Sequence, residues 1–305
     1  MTLPQALFLG ALQGVAELFP VSSLAQTIIL PALLGWDLGN QESADFLSFV
    51  VALHLATAAA LFIYFWKDWK AVIVGFIGGI RKGKLIHDAA SKFAWLLIAG
   101  TVVVGFIGLV FEKKLRMLFD DPKKAWVVAG ILVVNGIFML LADALKRRAG
   151  RVSGDAAPEA APGSDDPAKD AAQERRKAED LTLIEGASIG AMQTLALLPG
   201  ISRSGFTIAA GLLAGLSYEQ ASRFSFMLAT PVIGLAAALK VPKLFSPAAR
   251  PMLAVTIPSA ILAGVCAYLS TRFLMKYFRH HRLGPFAWYC IIFGIFALIM
   301  LKRGV

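Results

Sequence analysis

Arg203 stands between two apolar runs, Leu181–Leu198 and Ile208–Leu216, inside the stretch Leu198-Pro-Gly-Ile-Ser-Arg-Ser-Gly-Phe-Thr207. An arginine at membrane depth is costly, so a chain that keeps one there must fold around it. Pro199 and Gly200 interrupt a helix at the same place. Broken backbone inside a bilayer persists only where protein buries it or where it lines a wet cavity. Ser202, Arg203, Ser204 and Thr207, with freed backbone N–H groups, form a set suited to a phosphate. The plain alternative is a Pro/Gly kink with Arg203 reaching to the interface, but a kink does not need these four side chains together.

Composition places those runs in a membrane. The 305 residues are 57% hydrophobic and 16% charged, with a mean hydropathy of +0.68. A soluble domain carries about a quarter charged residues, so the chain reads as an all-α polytopic membrane protein. Its net charge of +10 is spread among apolar runs. That pattern suits anionic lipid headgroups and argues against nucleic acid. Cys266 and Cys290 both lie in apolar segments and read as small core residues rather than a disulfide. Met1-Thr-Leu-Pro-Gln-Ala has no positive n-region, so no cleaved signal peptide is expected.

Leu3–Leu18 is apolar apart from Gln5, Gln13 and Glu17; then come Phe19-Pro-Val-Ser-Ser23 and a second run, Leu24–Leu34. Neither run reaches the ~20 residues of a full span, so a re-entrant or discontinuous element is expected. Spans are expected at Phe46–Trp66, Phe93–Phe111, Ala125–Leu141, Met252–Leu269 and Phe286–Leu301, with Phe224–Leu239 apolar around Pro231. Lys67–Lys92 is basic, with a short piece, Val72–Ile80, that cannot cross; Glu112–Lys124 reads as a polar turn. Lys146–Asp180 balances eight Lys/Arg against eight Asp/Glu and holds almost no large apolar residue. It cannot bury enough surface to fold alone. The chain therefore divides into a first membrane half (1–142), a disordered polar linker (143–180) and a second half (181–305). The basic cluster Arg272, Lys276, Arg279, His280, His281 and Arg282 reads as a headgroup-facing loop.

The halves resemble each other. Gly10-Ala-Leu-Gln13 recurs as Gly190-Ala-Met-Gln193, Pro20 as Pro199, Ser48-Phe49 as Ser225-Phe226, and Ala58–Leu61 as Ala236–Leu239, at offsets of 177 to 180 residues. Corresponding broken segments in two halves point to a site at their interface. An odd number of crossings per half makes the repeats inverted, with the breaks at Ser22-Ser23 and Ser202–Thr207 meeting near the midplane.

Gln13 and Glu17 are four apart and share one helix face, pointed at the Pro20–Ser23 break. A carboxylate in an apolar helix must be protonated, paired or bound to a cation. Arg203 of the other half and a divalent metal are the expected partners. A Gln/Glu pair with phosphate oxygens suits Mg²⁺ or Ca²⁺; a purely structural Glu17–Arg203 ion pair is the alternative. Of Ser22 and Ser23, one is expected to cap the following helix, leaving the other free to bind or attack phosphate. His54 lies among Leu53, Leu55 and Ala56, as a packing residue or as a base.

Glu17-Leu-Phe-Pro-Val-Ser-Ser23, with Gln13 one turn earlier, resembles the first motif of the undecaprenyl-diphosphate phosphatases, the bacitracin-resistance membrane phosphatases. Pro199-Gly-Ile-Ser-Arg-Ser-Gly205 with Thr207 resembles their second motif, and Phe224–Pro231 the stretch after it. The resemblance covers both halves and omits the linker. It implies inverted repeats with two re-entrant helix pairs, meeting at a site open to the outer face of the bacterial plasma membrane. It implies removal of the terminal phosphate from undecaprenyl diphosphate, which recycles the carrier lipid of cell-wall synthesis. Glu17 would act with a divalent cation or as base. Ser23 would be the nucleophile, or a phosphate ligand if water attacks. Arg203 would clamp the diphosphate, with Gln13, Ser22, Gln26, Gly200, Ser202, Ser204 and Thr207 around it and the lipid tail in an apolar groove.

Gln13 replaces a glutamate common in the family, and Tyr218 an arginine. Leu24-Ala-Gln26 replaces a segment that ends in histidine, so Gln26 stands where the family keeps a candidate base; His54 or Glu17 would then serve. The rival reading is a transporter or flippase for a polyprenyl phosphate or another anionic lipid, because broken inverted repeats are also transporter architecture. The sequence sets no oligomeric state, a homodimer included. Basic residues on Lys67–Lys92 and the linker favour the cytoplasm for that side.

Overall fold

The computed structural model describes residues 1–36, 38, 44–119, 125–152, 176–238 and 252–303. The described residues form 11 α-helices and no strand. Helices α1 (Leu3–Ala16), α2 (Ser23–Leu33), α3 (Ala44–Tyr64), α4 (Trp66–Arg81), α5 (Ala89–Phe119) and α6 (Ala125–Val152) form the first half. Helices α7 (Leu183–Met192), α8 (Arg203–Leu213), α9 (Tyr218–Ala238), α10 (Leu253–Tyr277) and α11 (Gly284–Lys302) form the second. Among the described residues, six helices are long and apolar enough to cross a membrane: α3, α5, α6, α9, α10 and α11. Helices α1 and α2 are apolar but short, and so is α7 with the 3-10 turn Gln193–Leu197 that continues it.

Helix ends follow local chemistry. Thr2 caps α1 in a capping box with Gln5, and Thr182 caps α7 in a capping box with Glu185. Ser22 caps α2 and Ser202 caps α8. Each pair of caps is separated by 180 residues, the offset already seen in the Gly-Ala-x-Gln repeats. Two expected boundaries shift. Helix α5 continues to Phe119 where a polar turn was expected, and α6 runs to Val152, past residue 142. Leucine, lysine, arginine and glutamate all favour helix, so charge ends the membrane segment before it ends the helix. Residues 120–124 and 153–175, the expected turn's end and the middle of the expected linker, lie outside the described residues.

Glycines set the helix pairs that carry the site. A Cβ on Gly14 of α1 would stand 2.2 Å from Ala263 O of α10, and one on Gly190 of α7 would stand 2.3 Å from Gly100 Cα of α5. The two short helices thus pack backbone to backbone against long ones, as small residues allow in membranes. Helices α6 and α11 meet in the same way at Gly136 and Gly294. On one side of the molecule Arg223 of α9 pairs with Asp68 of α4 and Glu179, and lies over the Phe93 ring at 5.0 Å. Arg176 pairs with Glu185 at the start of α7. Those contacts hold α4, residues 176–180 and the first turns of α7 and α9 together. Cys266 and Cys290 are free thiols, as expected.

Candidate active site

Helix α1 ends at Glu17, the chain turns through Phe19-Pro20-Val21, and α2 starts at Ser23. Ser22 is the residue that caps: its Oγ accepts from Ala25 N at 3.4 Å, and its backbone takes φ 61°. A positive φ is costly for a residue with a Cβ and clusters at functional sites. Ser23 is thereby left free of capping. Its hydroxyl donates to Glu17 Oε2 at 2.6 Å. Gln13, one turn before Glu17, donates its amide to the same oxygen at 3.0 Å.

The second broken segment arrives from the other half. Gly200 takes φ 109° and packs against α6, where a Cβ would meet Ile131 at 2.7 Å. Asn135 of α6 accepts from Ser202 N at 2.9 Å. Ser202 Oγ accepts from Gly205 N and lies 3.1 Å from Ser204 Oγ, which donates to Phe19 O at 3.2 Å. Thr207 Oγ1 donates to Arg203 O at 2.6 Å. These bonds fix α8 so that Arg203 Nη2 donates to Glu17 Oε1 at 3.1 Å. The neighbours Asn135 and Met139 set this meeting point near the middle of α6.

Glu17 is 8% exposed and the Arg203 side chain 13%. Glu17 accepts from three donors, Gln13, Ser23 and Arg203. Arg203 keeps buried Nε and Nη1 groups with no hydrogen-bond partner among the described residues. His54 comes to 3.9 Å of Glu17 Oε2 through Nε2, while its Nδ1 lies 2.9 Å from Val50 O. A carbonyl can only accept, so Nδ1 carries a proton and Nε2 is the nitrogen turned to the carboxylate.

Of the residues expected at the site, Gln13, Glu17, Ser23, His54 and Arg203 meet around one carboxylate. Ser22, Ser202, Ser204 and Thr207 brace the two turns. Gln26 and Gly200 are engaged elsewhere. Gln26 is 1% exposed; its amide donates to Val21 O at 3.1 Å and accepts from Tyr289 OH of α11 at 3.1 Å. An apolar crease of about 500 Å³ runs between α3 and α10, lined by Ala56, Ala60, Ile63, Gly264 and Tyr268. Residues two, six and nine past His54 sit about 180–240° round a helix from it, so that crease is behind the site. Asn135 and Tyr289 were missed by sequence reasoning. A lone buried asparagine in a span was the available signal for Asn135.

Ser22 and Ser23 separate by experiment. Ser22→Ala is expected to lower stability by about 1 kcal/mol, the usual cost of a lost cap, and to keep most activity. Ser23→Ala is expected to lower stability by about 1.5–3 kcal/mol, through the lost hydrogen bond to the Glu17 carboxylate, and to lose at least about a hundredfold in rate. Thermal melts and phosphate release on both variants check this.

Residues 6–296 match the family model described as bacitracin resistance protein BacA. The chain belongs to that family. It is 43% identical over 302 residues to a protein named undecaprenyl-diphosphatase from Mycolicibacterium paratuberculosis, covering 97% of this chain and 96% of the relative. It is 44% identical to an undecaprenyl-diphosphatase from Granulibacter bethesdensis, again covering 97% and 96%. A third, from Acidiphilium cryptum, is 41% identical with 98% of both chains covered. With six apolar helices of spanning length among the described residues, this BacA-family chain is a multi-pass membrane protein.

Proposed function

We propose that the chain is an undecaprenyl-diphosphatase that removes the terminal phosphate from undecaprenyl diphosphate, with its chemistry at Glu17, Ser23 and Arg203. The observation that carries this reading is Arg203: a buried guanidinium that pairs through one nitrogen and keeps two more N–H-bearing nitrogens without a partner among the described residues. Such a fork matches phosphate oxygens. The first residues of α2 and α8 are Ser23 and Arg203 themselves, so two helix N-termini, each favourable to anions, converge on one place.

In this reading Arg203 holds the terminal phosphoryl group and offsets the charge that develops as the bridging P–O bond breaks. Glu17 takes the proton of Ser23, or of a water standing in its place, as the new P–O bond forms. Their 2.6 Å separation is within the reach of a general base. Undecaprenyl phosphate leaves. If Ser23 attacked, water then cleaves the phosphoserine and returns the proton to Ser23. His54 Nε2, beside Glu17, shares the proton and serves where the family keeps a histidine at position 26. Gln13 orients Glu17, and Ser202, Ser204 and Thr207 hold the Arg203 turn.

A divalent cation, Mg²⁺ or Ca²⁺, fits the donor set in part. No cluster of three His, Cys, Asp or Glu side chains occurs among the described residues. Glu17 and the Gln13 carbonyl would hold the ion only with phosphate oxygens completing its shell, a usual arrangement for Mg²⁺. It would supply further charge neutralisation.

The repeats are read as inverted. Matching caps at one offset support a repeat, and the exchange of partners between halves supports a two-fold relation: α1 packs on α10 and its counterpart α7 on α5. Lys67 and Lys70 flank Asp68, which Arg223 joins to Glu179. Positive residues favour the cytoplasm and anionic headgroups there, so the site is taken to open to the opposite, outer face of the plasma membrane.

Phosphate release from undecaprenyl diphosphate by the purified protein, with and without EDTA, tests this. Release that falls at least about tenfold with chelation and returns with Mg²⁺ supports the cation as well. Release indifferent to EDTA removes the cation and keeps the phosphatase. Binding of the lipid without release turns the reading to transport.

A further inference from the structure

Gln193 begins the 3-10 turn that leads into the second broken segment. It is 2% exposed, and neither Nε2 nor Oε1 has a hydrogen-bond partner among the described residues. A buried amide with both ends unmet is disfavoured by the loss of its hydration. An apolar side chain of the same size would fit such a position at lower cost. A residue of this kind in a membrane interior points to a ligand from outside the chain.

The repeat says where that amide stands. Gln193 matches Gln13 at an offset of 180, in Gly190-Ala-Met-Gln193 against Gly10-Ala-Leu-Gln13. The same offset takes Thr2 to Thr182 and Ser22 to Ser202, and all four residues cap helices. It also takes Ser23 to Arg203 and Glu17 to Leu197. In the first half Gln13 reaches Ser23 through a single carboxylate oxygen, 3.0 Å from Nε2 and 2.6 Å from Ser23 Oγ. In the second half Gln193 precedes Arg203 by the same ten residues, and Leu197, in the place of Glu17, offers no oxygen. Arg203 also has buried nitrogens, Nε and Nη1, without a hydrogen-bond partner among the described residues.

We infer that Gln193 is a further substrate-contacting residue, whose amide N–H donates to a phosphoryl oxygen of the diphosphate held by Arg203. That oxygen stands to Gln193 as Glu17 Oε2 stands to Gln13. Ser225 is the neighbouring group that fits the same role. Its Oγ is buried and also lacks a hydrogen-bond partner among the described residues. Helices α8 and α9 form a hairpin that closes where Gly211 meets Ala221, which sets Ser225 level with Thr207, one turn from Arg203. The inference rests on the phosphatase reading and extends its anion site into the second half.

The test uses the full-length protein with Gln193→Leu and Gln193→Met. Wild-type phosphate release from undecaprenyl diphosphate checks the phosphatase reading separately from Gln193. The expected result for both variants is a KM raised about tenfold or more, the loss of one hydrogen bond to a charged group. Inhibition by inorganic pyrophosphate should weaken by a similar factor. The melting temperature should stay level or rise, because two unmet polar atoms are removed. An unchanged KM overturns the inference. So does a melting temperature lowered by more than roughly 5 °C, or failure to fold, in both variants, since either result gives Gln193 a packing role.

Discussion

Arg203→Gln is expected to lower kcat/KM for phosphate release by at least about a thousandfold, since a single arginine on a transferring phosphoryl group supplies that much or more. The side chain is 13% exposed and points Nη2 at Glu17, with Nε and Nη1 without a partner among the described residues. Glutamine can offer one donor pair and no charge. Arg203→Lys should rescue little, because an ammonium cannot pair with Glu17 and span two phosphate oxygens as a planar fork does. The two variants should differ in stability. Glutamine leaves the Glu17 carboxylate buried without its cation, a loss of up to about 3–5 kcal/mol unless the carboxyl protonates. Lysine restores most of it. Melting curves beside steady-state rates separate the two effects. A lysine variant with wild-type stability and wild-type rate would remove Arg203 from the chemistry.

Glu17→Gln should cost about as much in rate, at least a thousandfold by the usual loss of a base acting on its nucleophile. The change keeps shape and one acceptor, so Gln13 and Ser23 can still hydrogen bond to it. What is lost is a group able to take the Ser23 proton and to face Arg203 with charge. Activity that survives this change and vanishes with His54→Gln would make His54 the base, with Glu17 only its neighbour at 3.9 Å.

The two broken segments were legible because membrane physics makes them conspicuous. Short apolar pieces around Pro20 and Pro199 cannot span, and Glu17 and Arg203 cannot face lipid. Their pairing followed from charge. The spacing of Gln13 and Glu17 already set one helix face. The choice between Ser22 and Ser23 was not legible, because two adjacent serines differ only in the backbone angle that the turn imposes on the first. Gln26 and Gly200 were read with the substrate from their place in the motifs; the bond from Tyr289 to Gln26 and the packing of Ile131 beside Gly200 come from far away in the chain. No local pattern carries such information. Helix ends past Phe111 and Leu141 were hidden for a different reason: the signal for leaving the membrane is charge, and charged residues continue a helix well.

The central claim is that one residue from each half forms a single site. A double-variant cycle tests it most directly, with kcat/KM for phosphate release from undecaprenyl diphosphate measured for wild type, Glu17→Gln, Arg203→Gln and the pair. Groups that act as a unit are strongly non-additive. The account predicts a pair no more than about tenfold worse than the poorer single variant. Losses that multiply, or a single variant as active as wild type, would contradict it.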